Sequence, residues 1–80
     1  MAYEVDLKGL RKAMVDKDLN TIEDMCVASG INRNTVSDVL HGRAYPSSSV
    51  MARMGTALGL SGDEMGRIFF KEKLASGARK

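Results

Sequence analysis

Residues 21–40 read Thr21-Ile-Glu-Asp-Met-Cys-Val-Ala-Ser-Gly30-Ile-Asn-Arg-Asn-Thr-Val-Ser-Asp-Val-Leu40. Thr21, with Asp24 three residues on, has the pattern of a capping box that opens a helix. The inward stripe of that helix is Ile22, Met25, Cys26 and Ser29. Gly30 stands where a left-handed turn residue is needed, because a Cβ is costly at positive φ. Asn32 caps the next helix, which is expected to end near His41 with Gly42 as its stop. The small residue Cys26 lies four positions before the glycine, and Val36 and Val39 lie six and nine after it. Two helices crossing closely at a steep angle need a small side chain at the contact, here Cys26. The later helix needs apolar anchors against the scaffold, here Val36 and Val39. This is the layout of a helix-turn-helix over about residues 21–41.

Outward from that stretch, helix signals dominate and no segment alternates as a half-buried strand does. Tyr3, Leu7, Leu10 and Met14 recur at helical spacing and predict a first helix from about Glu4 to Val15, weakened at Gly9 by about 1 kcal/mol relative to alanine. Asp16 to Asn20 reads as a polar joint with Leu19 turned inward. Arg43 to Pro46 is a loop, and Ser47 to Ser49 restart a helix carrying Val50, Met51, Met54 and Leu58 inward, closed by Gly59. Ser61 with Glu64 is a second capping-box pattern, opening a last helix through Met65, Ile68, Phe69 and Leu74. The expectation is an all-α, five-helix bundle in a single domain, residues 1–75, followed by a basic tail, 76–80, that frays.

Composition agrees. The chain has 80 residues, 44% apolar and 28% charged, ordinary for a soluble globular fold. A chain this short buries roughly 60% of its unfolded surface. Six methionines beside four aromatic residues point to a pliable core of Met, Leu, Val and Ile. There is no run of about 18 apolar residues to cross a membrane, and no secretory signal pattern at the N-terminus. The single cysteine, Cys26, cannot make an internal disulfide, which fits a reducing cytoplasm. Net charge is only +2, but its distribution is uneven: between Asp38 and Asp63 the chain carries His41, Arg43 and Arg53 and no acid. Lys71, Lys73, Arg79 and Lys80 follow near the end.

On a wheel of about 100° per residue, Val36, Val39 and Leu40 of the third helix share one arc. Arg33, Asn34, Ser37, Asp38 and His41 spread over the opposite side. Such a face has the donors and acceptors that read base edges in a major groove: arginine brackets a guanine, asparagine an adenine, and serine serves either role. No nucleophile–base pair, paired carboxylates or phosphate-binding glycine loop is present, so neither catalysis nor a cofactor is expected. His41 has no second ligand at metal spacing, and contact with phosphate or solvent is its expected role. Cys26 is expected to fill a packing slot rather than sense redox state, which needs an exposed thiol beside an activating basic group.

The chain resembles the lambda-repressor/Cro-like (XRE) helix-turn-helix regulators over roughly residues 5–70. The resemblance rests on Leu7-Lys-Gly-Leu-Arg11, Thr21-Ile-Glu-Asp-Met-Cys26, Gly30-Ile-Asn-Arg-Asn-Thr-Val36, Leu40-His-Gly-Arg43, Pro46-Ser47, Ala57-Leu-Gly-Leu-Ser61 and Asp63-Glu-Met65. It implies a five-helix bundle whose third helix enters the major groove of double-stranded DNA, with Arg33, Asn34, Ser37 and Asp38 facing the bases. It also implies that Thr21 and Arg43 touch the DNA backbone, with Asn32 and His41 beside them. A helix N-terminus at Thr21 suits a phosphate on physical grounds as well. Two departures stand out. Many members place a glutamine where Ile22 stands, so its support of the base-reading side chains is missing here. Asp38 brings an anion against a polyanion: its expected role is to orient Arg33 or Asn34, the alternative being to accept from a cytosine amino group.

One short helix reads too few base pairs to single out a site in a genome. A homodimer on a palindrome doubles the readout, with recognition helices about 34 Å apart. Phe70 is about 100° from Phe69 on a helical wheel, so Phe70 and Leu74 are the expected dimer seam. The reading is a cytoplasmic, nucleoid-associated transcriptional repressor that needs no cofactor. The alternative is an antitoxin-like module whose main partner is another small protein, with Val27 and Phe70 as contacts. A non-specific nucleic-acid binder is disfavoured by the low net charge and the lack of an aromatic platform.

Overall fold

The computed structural model describes residues 3–72. Five helices follow in order: α1 (Leu7–Asp16), α2 (Ile22–Ser29), α3 (Arg33–Leu40), α4 (Ser48–Leu58) and α5 (Gly62–Phe69). Two short strands, β1 (Tyr3–Glu4) and β2 (Lys71–Glu72), pair antiparallel with Tyr3 opposite Glu72 and Glu4 opposite Lys71. The fold is the expected small all-α bundle, with this ribbon added where its two ends meet.

The helix boundaries follow from local chemistry. Thr21 and Asp24 form a complete capping box on α2, and Ser61 and Glu64 form another on α5. Asn32 and Ser47 cap α3 and α4 through their side-chain oxygens. Each cap satisfies a backbone N–H that the helix itself leaves unpaired.

The first helix starts later than its periodicity suggests. Asp6 is extended (φ −77°, ψ 91°) and its carboxylate accepts from Gly9 N, so α1 begins at Leu7 and Tyr3 belongs to β1. Asp6 N also donates to Ile68 O at 2.7 Å, tying the entry of α1 to α5. The last helix stops earlier than expected. Phe70 leaves helical geometry (φ −121°, ψ 40°), and the chain turns into β2 instead of continuing to Leu74, which lies outside the described residues together with the tail. The helical wheel had set Phe69 and Phe70 in conflict. Breaking the helix between them resolves it, with Phe69 fully buried and Phe70 turned out.

All five helices contribute to one core: Leu10 and Met14, Met25, Val36 with Val39 and Leu40, Met51 with Met54 and Leu58, and Ile68 with Phe69. Leu19, Ile22, Cys26 and Val50 pack at its margin. The helix α2 packs against both α3 and α4, so α3 rests on a scaffold buttressed from behind. Gly55 permits the approach of α4 to α5, since a Cβ there would collide with Met65 Sδ.

Candidate nucleic-acid interface

The turn that sets α3 on α2 is built from three adjacent residues. Ser29 is buried, and its hydroxyl donates to Met25 O at 2.6 Å while accepting from Ile31 N at 3.3 Å. Gly30 sits at φ 73°, ψ 18° and donates to Cys26 O at 2.8 Å, so the sharp change of direction falls on the residue that bears no Cβ penalty. Ile31 then inserts into the core. Cys26 is half-buried beside this turn, in its expected packing slot.

The inner face of α3 is closed: Val36, Val39 and Leu40 are 0, 1 and 3% exposed. Its outer face carries Arg33 and Asn34, both exposed, with Ser37 and Asp38 half-buried beside them. Opposite faces of one two-turn helix thus hold the anchor and the candidate readers.

Both ends of that outer face carry an arginine with a partner in the chain. At the start, Arg33 Nη1 lies 3.1 Å from Glu23 Oε2 on α2. The pair is well exposed, so it orients Arg33 without fastening it. The sequence reading missed Glu23; it supplies one residue later the support that Ile22, half-buried at the core margin, does not. Its signal was an acid in the first turn of one helix and an arginine in the first turn of the next.

At the far end, Gly42 adopts φ 72°. Gly42 N donates to Val39 O at 3.1 Å and Arg43 N to Asp38 O at 2.8 Å, the two bonds of a Schellman closure. This folds Arg43 back along α3. Its Nε donates to Asp38 Oδ1 at 3.0 Å and its Nη2 to Ser37 Oγ at 2.9 Å. Asp38 therefore orients Arg43, not Arg33 or Asn34 as the sequence suggested. A partner five residues on is brought within reach only by the left-handed turn.

His41 Nδ1 lies 2.8 Å from Ser37 O. A carbonyl only accepts, so Nδ1 carries the proton and Nε2 is left for a partner outside the chain. The Oδ1 of Asn32 is taken up by Asn34 N at 2.7 Å. Its amide NH2 retains donors for an oxygen ligand. Thr21 and His41 border one surface groove of about 300 Å³ together with Arg11 and Asn20. Arg11, singled out in the sequence only as part of a motif, donates from Nη2 to Leu40 O at 2.8 Å. A cation at the C-terminal end of α3 satisfies a free carbonyl and complements the helix dipole.

The expected dimer residue Phe70 is 46% exposed and meets Tyr3 edge to face, with centroids 5.7 Å apart. Tyr45, whose hydroxyl donates to Phe69 O, adds a third aromatic ring to this end of the molecule. Burial, and then its neighbour Tyr3, push the Tyr45 phenol above its ordinary range, so it remains a donor at neutral pH. Among the described residues no helix is long and apolar enough to cross a membrane.

A glycine-hinged helix pair, its second member anchored on one side and polar on the other, defines a helix-turn-helix DNA-binding domain. The family model described as a helix-turn-helix domain matches residues 8–68, and the chain belongs to that family. The match is consistent with the XRE-like resemblance in the sequence. No curated protein and no solved structure matches the chain.

Proposed function

We propose that this protein is a sequence-specific transcriptional regulator that represses by placing α3 in the major groove of a palindromic operator as a homodimer. The observation that carries this reading is the two-sided α3, with fully buried anchors behind Arg33, Asn34, Ser37 and Asp38. On this reading Arg33 and Asn34 address base edges, and Ser37 and Asp38 complete the same face. Thr21 and Asn32 meet phosphate oxygens and set the register, His41 joins them in the form that carries a proton on Nε2 as well, and Arg43 lies at the end of the helix beside them. Catalysis has no part in this reading.

Dimerisation follows from information content, since four or so base pairs read by one helix do not define an operator. The exposed ring of Phe70 is the proposed seam, together with Leu74, which lies outside the described residues. Selection from randomised duplexes long enough for two half-sites tests the reading. An enriched palindrome with half-sites about one helical turn apart is the expected result. Enrichment of a single half-site, or none, overturns the dimeric regulator. For the seam, Phe70→Ala should sediment as a monomer and bind the palindrome more weakly; unchanged sedimentation and binding exclude it.

A second reading, an antitoxin-like module for a small protein partner, draws on Val27, which is 86% exposed on the outer side of α2. A neighbouring gene for a small toxin that co-purifies with the protein, and a Val27→Glu variant that no longer retains it, would support that reading over the first.

A further inference from the structure

We propose that Arg43 is a specificity-determining residue that reads a guanine, with Asp38 and Ser37 as its positioning residues, an inference that rests on the DNA-reading face described above. The family resemblance implies a phosphate role for Arg43, for which charge and reach suffice. The structure gives its side chain a preferred plane. A guanidinium has five N–H donors in a rigid fork. Its Nε–H is taken by Asp38 Oδ1 at 3.0 Å and one Nη2–H by Ser37 Oγ at 2.9 Å. Nε and Nη2 share one edge of the fork, so that edge is filled by the protein. The other edge, formed by Nη1 and the second Nη2–H, keeps a parallel pair of donors, the geometry that matches guanine O6 and N7.

The brace has a backbone foundation. With Gly42 left-handed, Arg43 N and Ala44 N both donate to Asp38 O, at 2.8 and 3.3 Å, so the Cα of Arg43 is pinned beside the last turn of α3. An arginine held at its backbone and along one edge has lost much of its rotamer freedom before DNA arrives, which favours oriented recognition over a swivelling charge contact. The same arrangement accounts for an acid on a surface that meets a polyanion. Asp38 is neutralised by Arg43, and both it and Ser37 direct an oxygen at the guanidinium rather than leaving it unpaired. At this end of α3 the outward donors belong to Arg43.

Duplex selection and competition with the intact chain test this, comparing the parent with Arg43→Lys, Asp38→Ala and the double variant. Both side chains are on the surface, and thermal midpoints verify that each variant folds. The parent should require one guanine per half-site, with replacement of that base pair weakening binding about 5- to 100-fold. Arg43→Lys keeps the charge but not the fork. It should bring that ratio close to one while leaving affinity for random duplexes and the salt slope unchanged. Asp38→Ala should lose preference at the same base pair, and the double variant should lose no more than either single one. If Arg43→Lys leaves every base preference intact while Asp38→Ala tightens all duplexes alike, Arg43 is a phosphate contact and the proposal is overturned. Loss in Arg43→Lys alone removes the positioning role of Asp38. A parent with no base preference anywhere overturns the sequence-specific reading itself, which separates that failure from this one.

Discussion

The two ends of α3 each present an arginine, and they are held in different ways. Arg33, in the first turn, has one ion-pair partner on a neighbouring helix, Glu23, with both side chains more than three-fifths exposed. Arg43, just past the last turn, is folded back by Gly42 onto Asp38 and Ser37 and gripped along one edge. The exposed pair is worth at most about 1 kcal/mol and leaves the side chain free to re-aim. The second pair is also exposed, at 57 and 46%, but the added hydrogen bond to Ser37 and the turn at Gly42 restrict its arginine further before any ligand arrives. One end of the helix is thus adaptable and the other preorganised, although both carry the same side chain.

Both ends stand on the same buried anchors, so the largest effect comes from loosening those. Val36→Ala removes two fully buried methyl groups and should cost about 2 kcal/mol in urea unfolding. For a chain of this size, with total stability on the order of 5–10 kcal/mol, that is a large share, and DNA affinity should fall with it. A cost under about 0.5 kcal/mol would mean that α3 is not anchored there.

Arg11→Met strikes one end only. It leaves Leu40 O without its guanidinium partner and should cost about 1–2 kcal/mol. Amide exchange should quicken at the C-terminal end of α3 before it does in the turn at Gly30. Uniform quickening along α3 would remove the distinction between the ends. Glu23→Gln tests the other end, and its effect on stability should stay below about 0.5 kcal/mol. Because it deletes an anion beside the proposed DNA-reading face, binding to random duplexes should strengthen slightly and mostly at low salt.

The smallest effect lies away from both ends and serves as a control. Hydrogen bonds from the backbone and then the hydroxyl of Ser61 hold the Glu64 carboxylate below its ordinary value of 4.5. A carboxyl lowered in the folded state contributes stability that is full above its unfolded value and is lost as pH falls through the folded one. Glu64→Gln should therefore lower stability slightly at neutral pH and flatten the acid limb of the stability curve, so that variant and parent converge below about pH 4.5. DNA binding at neutral pH should not move.

What could be read from the sequence was local. Thr21 with Asp24, Ser61 with Glu64, Asn32, Gly30 and the Val36–Val39 pair all act within a few residues of themselves, where helix geometry fixes who meets whom. The ends of α1 and α5 were misjudged because Tyr3–Glu4 and Lys71–Glu72 pair across almost the whole chain. A two-residue strand is too short to show an alternating pattern. Glu23 and Arg33 sit ten residues apart on different helices; opposite charges in two first turns hint at the pair, but only the packing of α2 on α3 makes them meet.

The sequence by itself determined the five helices, the hinge at Gly30 and which face of α3 is apolar, because capping, left-handed turns and helical periodicity are short-range effects. The tertiary structure alone decided that Phe69 goes in while Phe70 goes out, that Arg11 closes the end of α3, and that Arg43 lies against Ser37 and Asp38. Those outcomes depend on where elements distant along the chain, or beyond a reversal of its direction, come to rest. Packing settles that position, and no window of neighbouring residues contains it.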